Sequence, residues 1–357
     1  MSGGGWRWLL LLLLCGPLLS CGPLQFYSGY GRVTSAEIYA VERQRDWPRR
    51  PSLTLELSQI KRLGFERVAI ARAGELVFEW QRDPSSDELP PRVHSLTKSL
   101  LSALVGIAVA EGQFDLDAPI SHLAGCAVPD APQPLTGRHL LNMTAGFAQS
   151  EAQSLGYLGQ EHWACAILRA PLDRDNGTQF RYGSVQSYLL GVALRQALDQ
   201  DLRRYAEDKL FAPLGIGLHG WTRSPEGYYF GGGDMRLDAL DLLAFGQLYL
   251  DGGRYEGRQI IPAPWVEASH QPLWRSLQDQ HDPLTLYYGY HWWHMESAGR
   301  RALAALGYSG FVLLIDREAE LVLVAMPPQE AYTPSRKIVA RQLAAWHLLQ
   351  AARAKLD

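Results

Sequence analysis

The chain reads as an α+β protein: one antiparallel sheet built from both chain ends and flanked by helices, with a mostly helical region inserted between them. Three observations carry that reading. Residues 67–80 hold two β-favouring halves around Ala73-Gly74, a hairpin signal. Strand character returns late, at 311–315 and 320–326, on either side of Asp316-Arg317-Glu318, a second hairpin. Between these two regions the apolar residues recur at helical spacing.

The hydrophobic fraction of 47% against 20% charged residues suffices for a sizeable core, and 357 residues fit one composite domain. Net charge is −3, and no basic run with interleaved aromatics occurs. Binding nucleic-acid phosphates needs concentrated Lys and Arg, so no nucleic-acid partner is expected.

At the N-terminus Arg7 precedes an apolar run that Gly16 and Pro17 interrupt before Leu18-Leu19-Ser20-Cys21. The run is too short and broken to cross a hydrocarbon core of ~30 Å, so residues 1–20 are expected to form a signal segment. A small residue before a cysteine is similar to the bacterial lipobox, in which Cys21 carries the lipid and anchors an exported, periplasm-facing protein to the membrane. The other reading is an ordinary cleaved signal, or an uncleaved anchor, with Cys21 incidental. Residues 21–50 mix Gly, Ser and charge without periodicity and are expected to be a tether. The folded domain then spans 51–357, with sheet parts at about 63–92 and 286–357 and the helical part at about 93–285. In an exported protein Cys126 and Cys165 are free to pair, and two buried thiols are equally compatible with the sequence. Their spacing gives no metal signature, and no metal or cofactor is expected.

Leu96, Leu100, Leu101, Leu104 and Ile107 predict a helix over 95–110. Further helices are expected at 185–196, at 202–210, and from an Asp238 cap to Leu250, where Gly252-Gly253 ends the helix. An amphipathic helix at 335–354 closes the chain.

The run His94-Ser95-Leu96-Thr97-Lys98-Ser99 opens the first helix. Ser95 and Lys98 at i and i+3 share one helix face. There the helix dipole favours a developing alkoxide and lowers the lysine pKa, so the amine can take the serine proton. Ser-x-x-Lys alone is also a common cap followed by a solvated lysine. A lysine at the head of a mostly apolar, buried helix is costly unless it is used or satisfied.

Several motifs in order give the chain a resemblance to the serine β-lactamase-like hydrolases, a family that includes class C β-lactamases, related esterases and 6-aminohexanoate-dimer hydrolase. SLTKS is followed by LVGIAVAEGQFDLDAPIS, HLLNMTAGF, FRYGSVQSYLLG, GGGDMRLDALDLLAFGQLYLDGG and YGYHWWH, with Gly307-Tyr308-Ser309-Gly310 in the place of the family's Lys-Thr-Gly or His-Gly-Gly motif. The resemblance implies a β-lactamase/transpeptidase-like fold and a serine hydrolase. It makes Ser95 the nucleophile and Lys98 with Tyr182 the general-base pair, leaving open which takes the first proton. It also implies an oxyanion hole from the backbone N–H groups of Ser95 and Phe311, with Gly310 letting the strand approach closely.

Two departures bear on substrate. Ser184 stands where the family's lactamases carry Asn, and Tyr308 replaces a lysine that attracts substrate carboxylates. Arg181 and His291 are candidates to replace that charge, although solvated or structural roles suit both. Ser184, Tyr308, Ser309 and Gly310 are the expected substrate contacts. Trp292 joins them from an aromatic cluster with Tyr287, Tyr288, Tyr290 and Trp293 that suits either an acyl pocket or a packed core. The expected substrate is a neutral or hydrophobic ester or an uncharged amide. The competing expectation is an acylable cell-envelope sensor or binding protein with little turnover.

Overall fold

Ala73 and Gly74 both take positive φ, 47° and 82°. This is the two-residue turn whose twist suits a hairpin, and it joins strand β1 (Arg67–Arg72) to β2 (Glu75–Gln81). The computed structural model describes residues 36–39, 46–83, 89–148, 155–276, 284–330 and 332–356. The expected signal segment and Cys21 lie outside the described residues.

Six more strands complete the sheet: β3 (Trp274–Arg275), β4 (Thr285–Gly289), β5 (Trp292–Ser297), β6 (Arg300–Leu306), β7 (Val312–Asp316) and β8 (Leu321–Met326). Their order is β2-β1-β8-β7-β6-β5-β4-β3, and each neighbouring pair is antiparallel. The N-terminal hairpin therefore pairs with the C-terminal strands, as expected, through a β1–β8 register that sets Ile70 opposite Leu323.

Strand β6 was not expected. Its RRALAAL composition favours helix. It is strand because β5 and β7 pair with it on both sides, placing Ala304 opposite Trp293 and Leu314, a tertiary override of local propensity.

Four long helices accompany the sheet: α1 (Leu96–Ala110), α2 (Ser184–Leu198), α3 (Ala239–Leu250) and α4 (Ser335–Leu356). Asp238 caps α3 as expected, its carboxylate accepting from the N–H groups of Leu240 and Asp241. The helix expected at 202–210 runs as Leu202–Ala206 and then widens into a π turn at Glu207–Phe211. The larger core lies between the sheet and the inserted helical region. The smaller one lies between the sheet and α4.

The tether reading of 21–50 is corrected at its C-terminal end. Ala36–Ile38 pairs as a strand with Gly220–Thr222, the Arg203 guanidinium lies 3.5 Å from the centre of the Tyr39 ring, and Trp47 is buried in the larger core. Cys126 and Cys165 are joined by a disulfide that ties a short hairpin to the helix Trp163–Leu168. Among the described residues no helix is long and apolar enough to cross a membrane.

Candidate active site

Ser95 occupies the cap position of α1, yet its side chain makes no capping bond. A cap serine normally spends its oxygen on the helix's orphan N–H groups. Here Oγ accepts instead from Lys98 Nζ at 2.8 Å. The turn ahead of it is tight: His94 takes φ 50°, a conformation that non-glycine residues adopt at a cost. Among the described residues no acceptor takes the Ser95 N–H. A backbone donor at a helix start is thereby directed to where an oxyanion would form.

Lys98 is 2% exposed. An ammonium carries three protons, and three acceptors surround this one: Ser95 Oγ at 2.8 Å, Ser184 Oγ at 2.8 Å and the Gly232 carbonyl at 2.6 Å. Residues from several parts of the chain meet here for physical reasons. Ser184 is the first residue of α2. The segment carrying Gly232 is stitched to α1 by two bonds, from Val93 N–H to the Met235 carbonyl and from Met235 N–H to Thr97 Oγ1. Only glycine fits at 232, because a Cβ there would lie 2.5 Å from the Ser184 carbonyl oxygen.

Tyr182 joins the group. Lys98 Nζ is 4.9 Å from the centre of its ring, a cation–π distance. Its backbone is pinned on one side, since Arg181 N–H donates to the Met143 carbonyl and Gln186 Nε2 to the Arg181 carbonyl. Trp293 stacks on the Tyr182 ring at 5.4 Å, and Tyr288 meets it edge-on at 5.8 Å. Lys98 thus brings together Ser95 and Tyr182, residues 87 positions apart in the chain.

The expected substrate contacts fare unevenly. Ser184 is in the site, as a partner of Lys98. Tyr308 is half-buried beside the His94 ring at 5.6 Å, its hydroxyl accepting from Thr333 N–H. Ser309 is corrected: it is fully buried at φ 62°, with Oγ on Thr333 Oγ1 at 2.8 Å and its carbonyl held by Arg341. Gly310 is corrected too. Its φ is 90°, and the atom a Cβ would meet, at 2.6 Å, belongs to Arg341 on α4. Its smallness thus serves helix packing. Phe311 N–H closes back on the Tyr308 carbonyl at 3.5 Å, so the donor expected for the oxyanion is turned into its own loop.

Trp292 is fully buried against Phe245 and Tyr249 of α3. Successive strand residues face opposite ways, and it is Trp293 that reaches Tyr182. Neither candidate replacement for the missing cation is available. Arg181 is engaged by the Phe147 carbonyl and Asp173. His291 is held neutral, with burial first and then the Lys98 charge pushing its pKa down to about 3. Burial likewise lowers His94 to about 4, further lowered by Arg92, Lys98 and Arg236 and partly opposed by Asp234.

Gly232 and the His94–Gln329 pair (Nε2 to Nε2, 3.2 Å) are site residues that the sequence reading does not single out, and Trp293 is the member of the aromatic cluster that meets Tyr182. Gln329 also clasps the backbone N–H and carbonyl of Arg92. Among the described residues no cluster of His, Cys, Asp or Glu could hold a metal ion.

A buried lysine bridging a helix-initial serine, with a tyrosine over it and an antiparallel sheet behind, defines the serine-hydrolase class of the β-lactamase and penicillin-binding-protein type. The chain belongs to the beta-lactamase family, whose model matches residues 61–345. It is 24% identical to the 6-aminohexanoate-dimer hydrolase of Paenarthrobacter ureafaciens, over 72% of this chain and 71% of that protein. A Dichelobacter nodosus protein assigned to fimbrial assembly, FimD, is 32% identical over 142 residues, 36% of each chain, so the match spans about a third of that relative's length. Among solved structures, a Bacillus anthracis protein assigned as a 6-aminohexanoate-dimer hydrolase superposes with a TM-score of 0.71 at 17% identity, covering 92% and 93% of the two chains. A penicillin-binding protein homologue from Pyrococcus abyssi gives 0.65 at 17% identity, covering 82% and 75%.

Proposed function

We propose that the protein hydrolyses a neutral or hydrophobic ester, or an uncharged amide, through an acyl group carried on Ser95. The observation that carries this reading is the pair of 2.8 Å bonds from buried Lys98 to Ser95 and Ser184, with the Tyr182 ring over the same ammonium. With one proton fewer on the Lys98–Tyr182 pair, as neutral amine or as phenolate, the pair accepts the Ser95 proton as Oγ bonds to the substrate carbonyl carbon. The Ser95 N–H and the start of α1 stabilise the oxyanion. The proton passes to the leaving alcohol or amine, and water then releases the acid and restores the serine.

The charge balance supports the preference for uncharged substrates. Tyr308 stands in place of a cation, and His94 and His291 are neutral at neutral pH. A missing charge-assisted contact forfeits about 1.5–3 kcal/mol for a carboxylate-bearing ligand. The hydrolase relatives support the reaction class, whereas the fimbrial resemblance covers too little of the chain to import a role in assembly. Export to a bacterial envelope, with lipid on Cys21, belongs to the same proposal. It rests on the apolar leader and on the Cys126–Cys165 disulfide, which suits an oxidising compartment.

Turnover of p-nitrophenyl esters tests the reading. Sustained hydrolysis by the wild type, abolished in Ser95→Ala, supports the enzyme. A stoichiometric burst without turnover favours the acylable sensor, a reading motivated by Ser184 and Tyr308 standing where the family carries Asn and Lys.

A further inference from the structure

The turn joining β4 to β5 consists of Tyr290 and His291, with φ 54° and 62°. Two consecutive left-handed residues are the geometry that Asn-Gly or Gly-Gly satisfies without strain. A tyrosine and a histidine persist there only where the surroundings over-determine them. For Tyr290 the compensation is visible: its N–H donates to Asn142 Oδ1 at 2.9 Å, its ring lies edge-on to Trp265 at 5.0 Å, and its hydroxyl accepts from Arg138 at 3.0 Å.

His291 is 2% exposed. Its carbonyl accepts from Ser99 Oγ at 2.9 Å, and Ser99 follows Lys98 on α1. Its Nε2 lies 3.2 Å from Ser187 Oγ, and Ser187 sits one turn beyond Ser184 on α2. Its N–H donates to the Leu141 carbonyl. One residue therefore fastens the first turns of both helices that supply the Lys98–Ser184 contact. Burial and the nearby Lys98 ammonium keep the ring uncharged, so it meets the Ser187 hydroxyl without repelling the ammonium.

We infer that His291 is a positioning residue that holds α1 and α2 at the separation where Lys98 reaches Ser95 and Ser184 together. This rests on the hydrolase reading above only for its kinetic consequence; the geometric claim stands apart from it.

The rate of Ser95 inactivation by a fluorophosphonate, measured on folded protein, reads the positioning without requiring a known substrate. His291→Gly relieves the backbone and keeps the carbonyl that Ser99 bonds but removes the ring's contact with Ser187, and is expected to slow inactivation about tenfold to a hundredfold, the scale of a small misplacement. His291→Asn, which tolerates the left-handed turn and keeps an amide, restores most of the rate. Ser187→Ala leaves the turn untouched and carries the test if the glycine variant does not fold. It is expected to slow the reaction similarly, with no further loss in the double variant, since both changes break one bridge.

An unchanged rate in both single variants overturns the inference. If the wild type takes no label at all, the hydrolase reading falls, and a crystal structure of the His291→Gly or Ser187→Ala protein decides the remainder. A lengthened Lys98–Ser184 distance upholds the positioning role, and an unmoved one overturns it.

Discussion

The Lys98 ammonium donates to the carbonyl of Gly232 at 2.6 Å, a contact that exists because residue 232 has no side chain. An added Cβ would lie 2.5 Å from the Ser184 carbonyl oxygen and 2.8 Å from the Phe230 ring. Gly232→Ala must therefore displace the acceptor or the start of α2. The expected result is a loss of about a hundredfold in kcat/KM and about 1–3 kcal/mol of stability. Ester kinetics and denaturant unfolding check both, and unaltered kinetics would remove Gly232 from the site.

The two tryptophans of β5 are expected to separate cleanly. Trp292 is fully buried against α3, so Trp292→Ala costs about 3–5 kcal/mol through the cavity it leaves, and substrate preference in the folded fraction stays the same. Trp293 stacks on Tyr182. Trp293→Ala lowers kcat/KM by about tenfold for long-chain or aryl esters relative to acetate esters. A chain-length series on both variants is the check, and an unchanged series for Trp293→Ala would leave Tyr182 without an aromatic wall.

Two buried imidazoles, His291 and His294, and the half-buried His94 shape the acid response. Burial, with neighbouring positive charges, holds His94 at about 4 and His291 and His294 at about 3, against about 6.5 in an unfolded chain. Between those values the unfolded state binds more protons, so acid favours unfolding. The stability these groups contribute is whole above pH 6.5 and is lost progressively as pH falls toward 3. The melting temperature is expected to decline across that window and to decline less steeply in His294→Leu. A flat profile would contradict the burial of these rings.

The Cys126–Cys165 bond closes a loop with a sequence separation of 39. Replacing both cysteines with serine is expected to cost about 3–4 kcal/mol while leaving Ser95 reactive, because the bonds from Lys98 to Ser95, Ser184 and Gly232 do not involve either cysteine. Thermal melts with and without reductant measure the loss. Two titratable free thiols in the native protein after removal of any Cys21 and Cys15 contribution would rule the bond out.

Much of this was legible because it is local. The i, i+3 spacing of Ser95 and Lys98 states a helix face, and the Ala73-Gly74 turn announces its hairpin. What stayed hidden is non-local or belongs to the backbone. The Gly232 carbonyl carries no side-chain signal. The helix-favouring RRALAAL of β6 becomes strand only through its two neighbours. The β4–β5 turn lacks turn residues, since Tyr290 and His291 occupy it, so the phase of β5 was unreadable and Trp292 was expected where Trp293 stands. Likewise the buried Arg341 on α4 holds the Ser309 carbonyl at 2.7 Å and packs against Gly310. Nothing in the local pattern links Arg341 to residues 32 positions away.

The most direct measurement is peptide mapping by mass spectrometry after brief exposure to a fluorophosphonate. One adduct per molecule on Ser95 is expected in the wild type, forming about a hundredfold or more slowly in Lys98→Met and Tyr182→Phe. An unmodified Ser95, or an adduct that forms as fast in both variants, would contradict the shared role of these three residues.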